Sequence, residues 1–321
     1  MIKRILAGLL LLTLLPLAAA QGYPDRPVKM ILPFPPGSAT DGVSRFIADE
    51  LRKAIGQTVL IENMAGADGI IAAQAVKRAA PDGYTLMVST NSAHGTNPAL
   101  YSQLPYDPEK DFEPVAGLIR IPQLLVVRKD SAAEDMAGLV RLAKERQAAS
   151  KPLAFATGNT SSLVAATLLK ASAKTELTAV PYRGMPQALT DLVGGQVDFT
   201  FSDPFAAAPF VSGAQVKVLA VTDIARLQSM PQVPTTAEVG HKDVAVVSFA
   251  AVFAPAKTDA AIVERLNREI NKILASPQGR EFIHKMGATP MVMSPGELRT
   301  FVSGEIARWA RLVEMAGIPK K

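Results

Sequence analysis

Short apolar runs alternate along the chain with longer stretches in which hydrophobic residues recur every three or four positions. Val28–Leu32, Thr58–Glu62, Thr85–Ser89, Leu124–Val127, Leu153–Ala156, Leu177–Val180, Val197–Phe201, Val216–Val221 and Val246–Phe253 are the candidate strands. Most are near-continuous apolar runs of the kind buried on both faces of a parallel sheet. Helical patterns fill the intervals, as at Val43–Ile55 and at Ile262, Leu266, Ile270 and Ile273. Ser131 with Glu134 reads as a capping box opening a helix to Gln147. Ser294 with Glu297, with Pro295 between them, opens a last helix to Met315. The pattern predicts an α/β fold, each sheet mixed and mainly parallel, with crossover helices.

Proline and glycine mark turns at Pro81–Gly83, Pro105–Pro108, Gly194–Gly195 and Pro231–Pro234, but no flexible linker divides the chain. Two lobes are then most easily joined by strands that cross between them, and Leu124–Arg128 and Val247–Ala254 are placed to do so. That division gives one lobe from residues 22–126 and 249–321 and a second from 127–248. A single doubly wound domain is the alternative.

The N-terminus changes where this fold is expected to work. Lys3 and Arg4 precede an apolar run from Ile5 to Leu17 and the small residues Ala18, Ala19 and Ala20. This is the layout of a secretory signal peptide over residues 1–20, with cleavage near Ala20 and export to the periplasm. The run is too short for a bilayer span, which takes about 20 residues. The chain has no cysteine, so core size rather than disulfides must stabilise it. Loss of the leader lowers the formal charge from +5 to +3. No basic block or aromatic interleaving accompanies that mild excess, which argues against nucleic acid as a partner.

Catalytic groups are few. His241 and His284 sit in a polar loop and on a helix surface, while His94 lies in a polar loop after a strand, where α/β folds place ligands. Ser38 or Ser92 with His94 would be needed for a secreted hydrolase. There is no G-x-S-x-G elbow, zinc motif or nucleotide loop, so neither cofactor nor metal is expected. What recurs instead is a polar, glycine-containing turn after a strand. Pro35, Pro36, Gly37, Ser38, Thr40 and Asp41 form the first, where helix-start N–H groups can hold an anion without a cationic side chain. The hydroxyls there can equally be helix caps. Thr157, Asn159, Thr160 and Ser161 form a second such turn, again as cradle or cap; Tyr182, Arg183 and Gly184 form a third, and Ser202 and Asp203 end another strand.

In these turns the chain resembles the Bug, or tripartite tricarboxylate transporter substrate-receptor, family of the bacterial periplasm. The resemblance runs through Tyr23–Val28, Pro33–Gly37 with Thr40 and Asp41, Glu62 and Asn63, Pro81–Leu86, Pro181–Gly184, Gly194–Asp198 and Leu219–Thr222. It implies a hinged, two-lobed periplasmic binding fold of the type II kind that captures a small carboxylate without catalysis. Di- and tricarboxylates, acidic amino acids and aromatic carboxylates are the ligand classes it implies. It also implies that the turn at Pro35–Asp41 meets one end of the ligand. Ser92, Ala93, His94, Asn97, the Thr157–Ser162 turn, Tyr182, Gly184 and Asp203 would complete the cleft. The partner implied is a tripartite-type inner-membrane transporter or, for some members, a sensor kinase, with the receptor itself a monomer. Three departures bear on specificity: Ser38 replaces a common second glycine, Leu163 stands where a histidine is usual, and the tryptophan common near Ser248 is absent, Trp309 being the only one. A more apolar distal pocket follows, in which Phe201 and Phe205 either meet an aromatic acid or pack in the core.

Overall fold

The computed structural model describes residues 22–321, so the predicted leader lies outside the described residues. In chain order the elements begin with β1 (Val28–Leu32), α1 (Ala39–Ile55), β2 (Val59–Asn63), α2 (Ile70–Lys77), β3 (Thr85–Thr90) and α3 (Asn97–Leu100). Then come β4 (Phe112–Pro122), β5 (Leu124–Arg128), α4 (Met136–Ala148), β6 (Leu153–Thr157), α5 (Thr160–Ala173), β7 (Leu177–Pro181) and α6 (Met185–Val193). The chain continues with β8 (Phe199–Ser202), α7 (Pro204–Ser212), β9 (Val216–Val221), β10 (Val247–Pro255), α8 (Ala260–Ala275), α9 (Pro277–Lys285), β11 (Thr289–Pro290) and α10 (Pro295–Met315).

The strands form two mixed sheets, ordered β11-β4-β10-β3-β1-β2 and β7-β6-β8-β5-β9. Parallel pairs join β1 to β2 and β3, and β6 to β7 and β8. The strands beside the crossings pair antiparallel. Each sheet with its flanking helices is one lobe, and the fold is α/β throughout. Gln123 alone separates β4 of the first sheet from β5 of the second, while the return passes through Val246 into β10. Thr222 ties the two crossings together: its Oγ1 accepts from Gln123 N at 2.8 Å and donates to the Val246 carbonyl.

Burial explains why the crossings hold. Every residue of β10 is buried; Val28, Met30 and Leu32 of β1 pack with Val43, Ile47 and Leu51 of α1 and Leu266 and Ile270 of α8. In α10, Leu298 and Val302 join the first lobe's core, whereas Trp309 and Val313 share a cluster with Val164 and Leu168 of α5. One helical stripe therefore spans both lobes.

Three sequence expectations change here. The longest strand, β4, was not expected, because Pro114, Gly117 and Pro122 interrupt its apolar pattern. Irregular registers with β10 accommodate it. The helix predicted from Ser131 begins instead after Asp135, whose Oδ1 accepts from Gly138 N at 2.6 Å. Glu134 pairs with Lys217 at 2.7 Å rather than closing a capping box. The box at Ser294 and Glu297 is present, with Glu297 Oε2 accepting from Ser294 N at 2.7 Å.

Candidate functional site

The turn after β1 leaves α1 with an open start. Gly37 takes a left-handed φ of 83°, and Ser38 Oγ accepts from Asp41 N at 3.2 Å. The Asp41 carboxylate turns back to accept from Gly37 N at 3.1 Å, Asn63 Nδ2 at 3.0 Å and the Arg45 guanidinium at 2.9 and 3.0 Å. Burial works against its ionisation, but these hydrogen bonds outweigh it and hold Asp41 below the usual carboxylate range. Gly42 N bonds the Ser38 carbonyl, so the Ala39 and Thr40 N–H groups remain without an intrahelical acceptor.

Across the interlobe space, β6 feeds α5 through an equivalent turn. Asn159 Oδ1 accepts from Ser162 N at 2.8 Å, and Ser162 Oγ accepts from Gly158 N and Asn159 N at 3.1 and 3.2 Å. This is a capping box, and it too leaves two helix-start amides, those of Thr160 and Ser161. A third start, at α7, differs. Asp203 Oδ1 accepts from Ala206 N at 2.8 Å and the next residue is Pro204, so this end is capped by its own carboxyl and lacks a first N–H. Burial outweighs those backbone bonds and pushes Asp203 up to about 6.

These starts converge on a tight chamber of about 40 Å3 lined by Ser38, Ala39, Thr40, Ser92, Asn159, Ser161 and Asp203. A wider outer chamber, about 680 Å3, shares Phe34, Ser92, Gly158 and Asn159 with it and adds Thr157, Thr160, Leu163, Tyr182 and Arg183. Among the described residues, no lysine, arginine or histidine lines the inner chamber. The lobes touch directly around it. Asn91 Nδ2 donates to Ser161 Oγ at 3.0 Å, the Ser92 and Thr160 hydroxyls lie 2.8 Å apart, and those of Ser161 and Ser248 lie 2.6 Å apart. Gly184 sits against Pro35 so closely that an added Cβ would come within 2.5 Å of its ring.

Several expected residues stand elsewhere. Pro36 and Gly37 shape the exposed turn, Pro35 and Gly184 meet at the lobe contact, and Asp41 faces Arg45. Ala93, His94 and Asn97 lie behind the wall. Ala93 is fully buried, and Asn97 Nδ2 donates to the Asp68 carbonyl and Tyr106 OH, both at 3.0 Å. His94 stacks on Phe253 at 3.9 Å, with Phe112 edge-on, and its Nδ1 lies 2.6 Å from Ser89 Oγ. Burial pushes His94 down to about 3, leaving a neutral core imidazole with no bond to Ser38 or Ser92, so the hydrolase arrangement is not formed. Phe201 is a core residue, and Phe205 packs toward Gly42. Sequence reasoning missed Phe34, Asn91, Gln123, Met185, Ser248 and Phe249 as chamber walls. Gln123 had a signal, a polar residue set between two apolar runs.

Two α/β lobes joined by crossing strands, with a chamber between them, define a periplasmic-type binding protein. Residues 43–318 match the model of the tripartite tricarboxylate transporter family receptor, TctC, and the chain belongs to that family. It is 34% identical to BugT of Bordetella pertussis over 304 residues, 94% of this chain and 93% of BugT. A protein of Pseudomonas sp. strain P51 encoded in the tcbD-tcbE intergenic region is 35% identical, over 97% of this chain and 93% of its own length. Among solved structures, an R. palustris protein with adipate superposes with a TM-score of 0.89 at 34% identity, over 93% of this chain and 100% of that one. MatC from Rhodopseudomonas palustris with bound malate gives 0.84 at 35%, over 91% and 100%. The family is one of periplasmic solute-binding receptors, not enzymes.

Proposed function

We propose that this protein captures a small carboxylate in the periplasm by closing its two lobes and presents it to a membrane transporter of the tripartite tricarboxylate type, acting as a monomer after removal of residues 1–20. The moving units are the lobes expected as residues 22–126 with 249–321 and 127–248, with β5 kept whole in the second and β10 whole in the first. The observation that carries the reading is the convergence of two helix starts, with the amides of Ala39 and Thr40 and of Thr160 and Ser161 unclaimed, on the interlobe space, whose inner chamber has no cationic side chain among the described residues. Fixed backbone donors lose little entropy on binding, and exclusion of water strengthens each bond they make. The adipate and malate of the two R. palustris structures support the same ligand class.

A thermal-shift panel of di- and tricarboxylates, acidic amino acids and aromatic acids on the mature protein tests this. A ligand that binds only the native state stabilises it by about 2.7 kcal/mol at a hundred times its Kd, so at least one acid should raise Tm by several degrees. A flat response across the panel would refute the reading.

A further inference from the structure

Gln123 is the residue between the two sheets, 1% exposed, and it lines the inner chamber. Its Nε2 donates to the Pro122 carbonyl at 3.1 Å and to Ser248 Oγ at 3.4 Å. These contacts fix the amide: reversing it would set Oε1 against the Pro122 carbonyl oxygen. In the orientation so fixed, Oε1 is buried and has no hydrogen-bond partner among the described residues. The neighbouring donors do not bond it: the Ser161 and Ser248 hydroxyls bond each other and Asn91 Nδ2 bonds Ser161 and Thr160.

We propose that Gln123 makes the chamber selective for a carboxylate that also carries a hydrogen-bond donor, a hydroxyl or an ammonium, over the unsubstituted acid of the same length. The proposal rests on the carboxylate reading above. An amide oxygen only accepts, so a carboxylate oxygen placed beside Oε1 is repelled and a methylene leaves it desolvated and unpaired. A hydroxyl or ammonium hydrogen satisfies it. Asp203 adds a second acceptor to the same chamber, whereas the helix starts supply donors for the carboxylate itself. The ligand that fits both walls presents an anion to one and a donor to the other. Leaving a buried acceptor unmet corresponds to a preference of about ten- to a hundredfold.

The test is calorimetric titration of the mature protein with succinate, malate and aspartate, and with glutarate, 2-hydroxyglutarate and glutamate. Malate or aspartate should bind about tenfold or more tightly than succinate, or the substituted five-carbon acids than glutarate, and comparing the two substituted acids separates hydroxyl from ammonium. In Gln123→Met the preference should fall below about threefold while the unsubstituted acid keeps its affinity. Gln123→Asn, which withdraws the oxygen but remains an amide, should act in the same direction and covers the case in which the methionine variant does not fold. Equal affinities within each set, unchanged in the variants, would assign Oε1 to solvent and overturn the proposal while leaving carboxylate binding intact. No binding by any acid of either set would overturn both.

Discussion

Two aspartates stand at helix starts bordering the same interlobe space, and their environments push them in opposite directions. Asp41 of α1 is backed by Arg45, Asn63 and Gly37 N, so its charge is held and directed away from the chamber. Asp203 of α7 lines the chamber, caps its own helix and has no cationic neighbour among its hydrogen-bond partners. The first arrangement keeps two backbone donors free and stiffens the turn that presents them. The second uses up its helix start and leaves a carboxyl whose ionisation burial opposes. The acid at the α1 start is drawn off by Arg45 and Asn63, whereas the acid at the α7 start occupies it.

The largest effect is expected from jamming the contact between the lobes that carry these two starts. Gly184 has an extended backbone that any residue can adopt, and only Pro35 of the opposite lobe stands in the way of a side chain. Gly184→Val should weaken carboxylate binding by about 1–3 kcal/mol, the usual cost of overpacking, with little change in the Tm of the unliganded protein. Unaltered affinity by calorimetry would remove this contact from the closure step. Asp41→Ala strips Arg45, Asn63 and Gly37 of their shared acceptor and should lower stability by about 1–2 kcal/mol, measured by urea unfolding. That stabilisation is present above the ordinary carboxylate pKa and is lost as pH falls through the lowered one. Ser38→Ala removes the cap of α1 and should cost about 1 kcal/mol in the same assay. Asp203→Asn keeps an acceptor for Ala206 N but cannot ionise. Because the Asp203 pKa is raised to about 6, the native protein gains from the protonated form at low pH and loses that gain as pH rises from the ordinary value through 6. The Tm advantage of the variant should therefore widen across that window and level off above it; a constant difference would mean that Asp203 does not titrate there.

The regular part of the fold was readable from the sequence because apolar runs such as Val216–Val221 are buried strands and α10 carries its own capping box. One of the misses follows from a single strand. The interrupted pattern of Phe112–Pro122 hid β4, and with it the ring of Phe112 that closes over His94. Without that cover, His94 looked like a loop residue at a ligand site rather than a core imidazole held by Ser89. The open starts of α1 and α5 could be located from Ser38 and Asn159, but the hold on Asp41 beside the first of them involves a partner distant in sequence, Asn63. Gln123 was hidden in a similar way, because it lies between β4, which the pattern concealed, and β5.

The comparison between open and plugged helix starts is tested most directly by backbone amide hydrogen exchange, residue by residue, with and without the carboxylate that gives the largest thermal shift. The account predicts new protection at Ala39, Thr40, Thr160 and Ser161, beyond any uniform slowing, and little change at Ala206, which Asp203 already holds. Protection that leaves the α1 and α5 starts unchanged, or that appears at α7 instead, would contradict it.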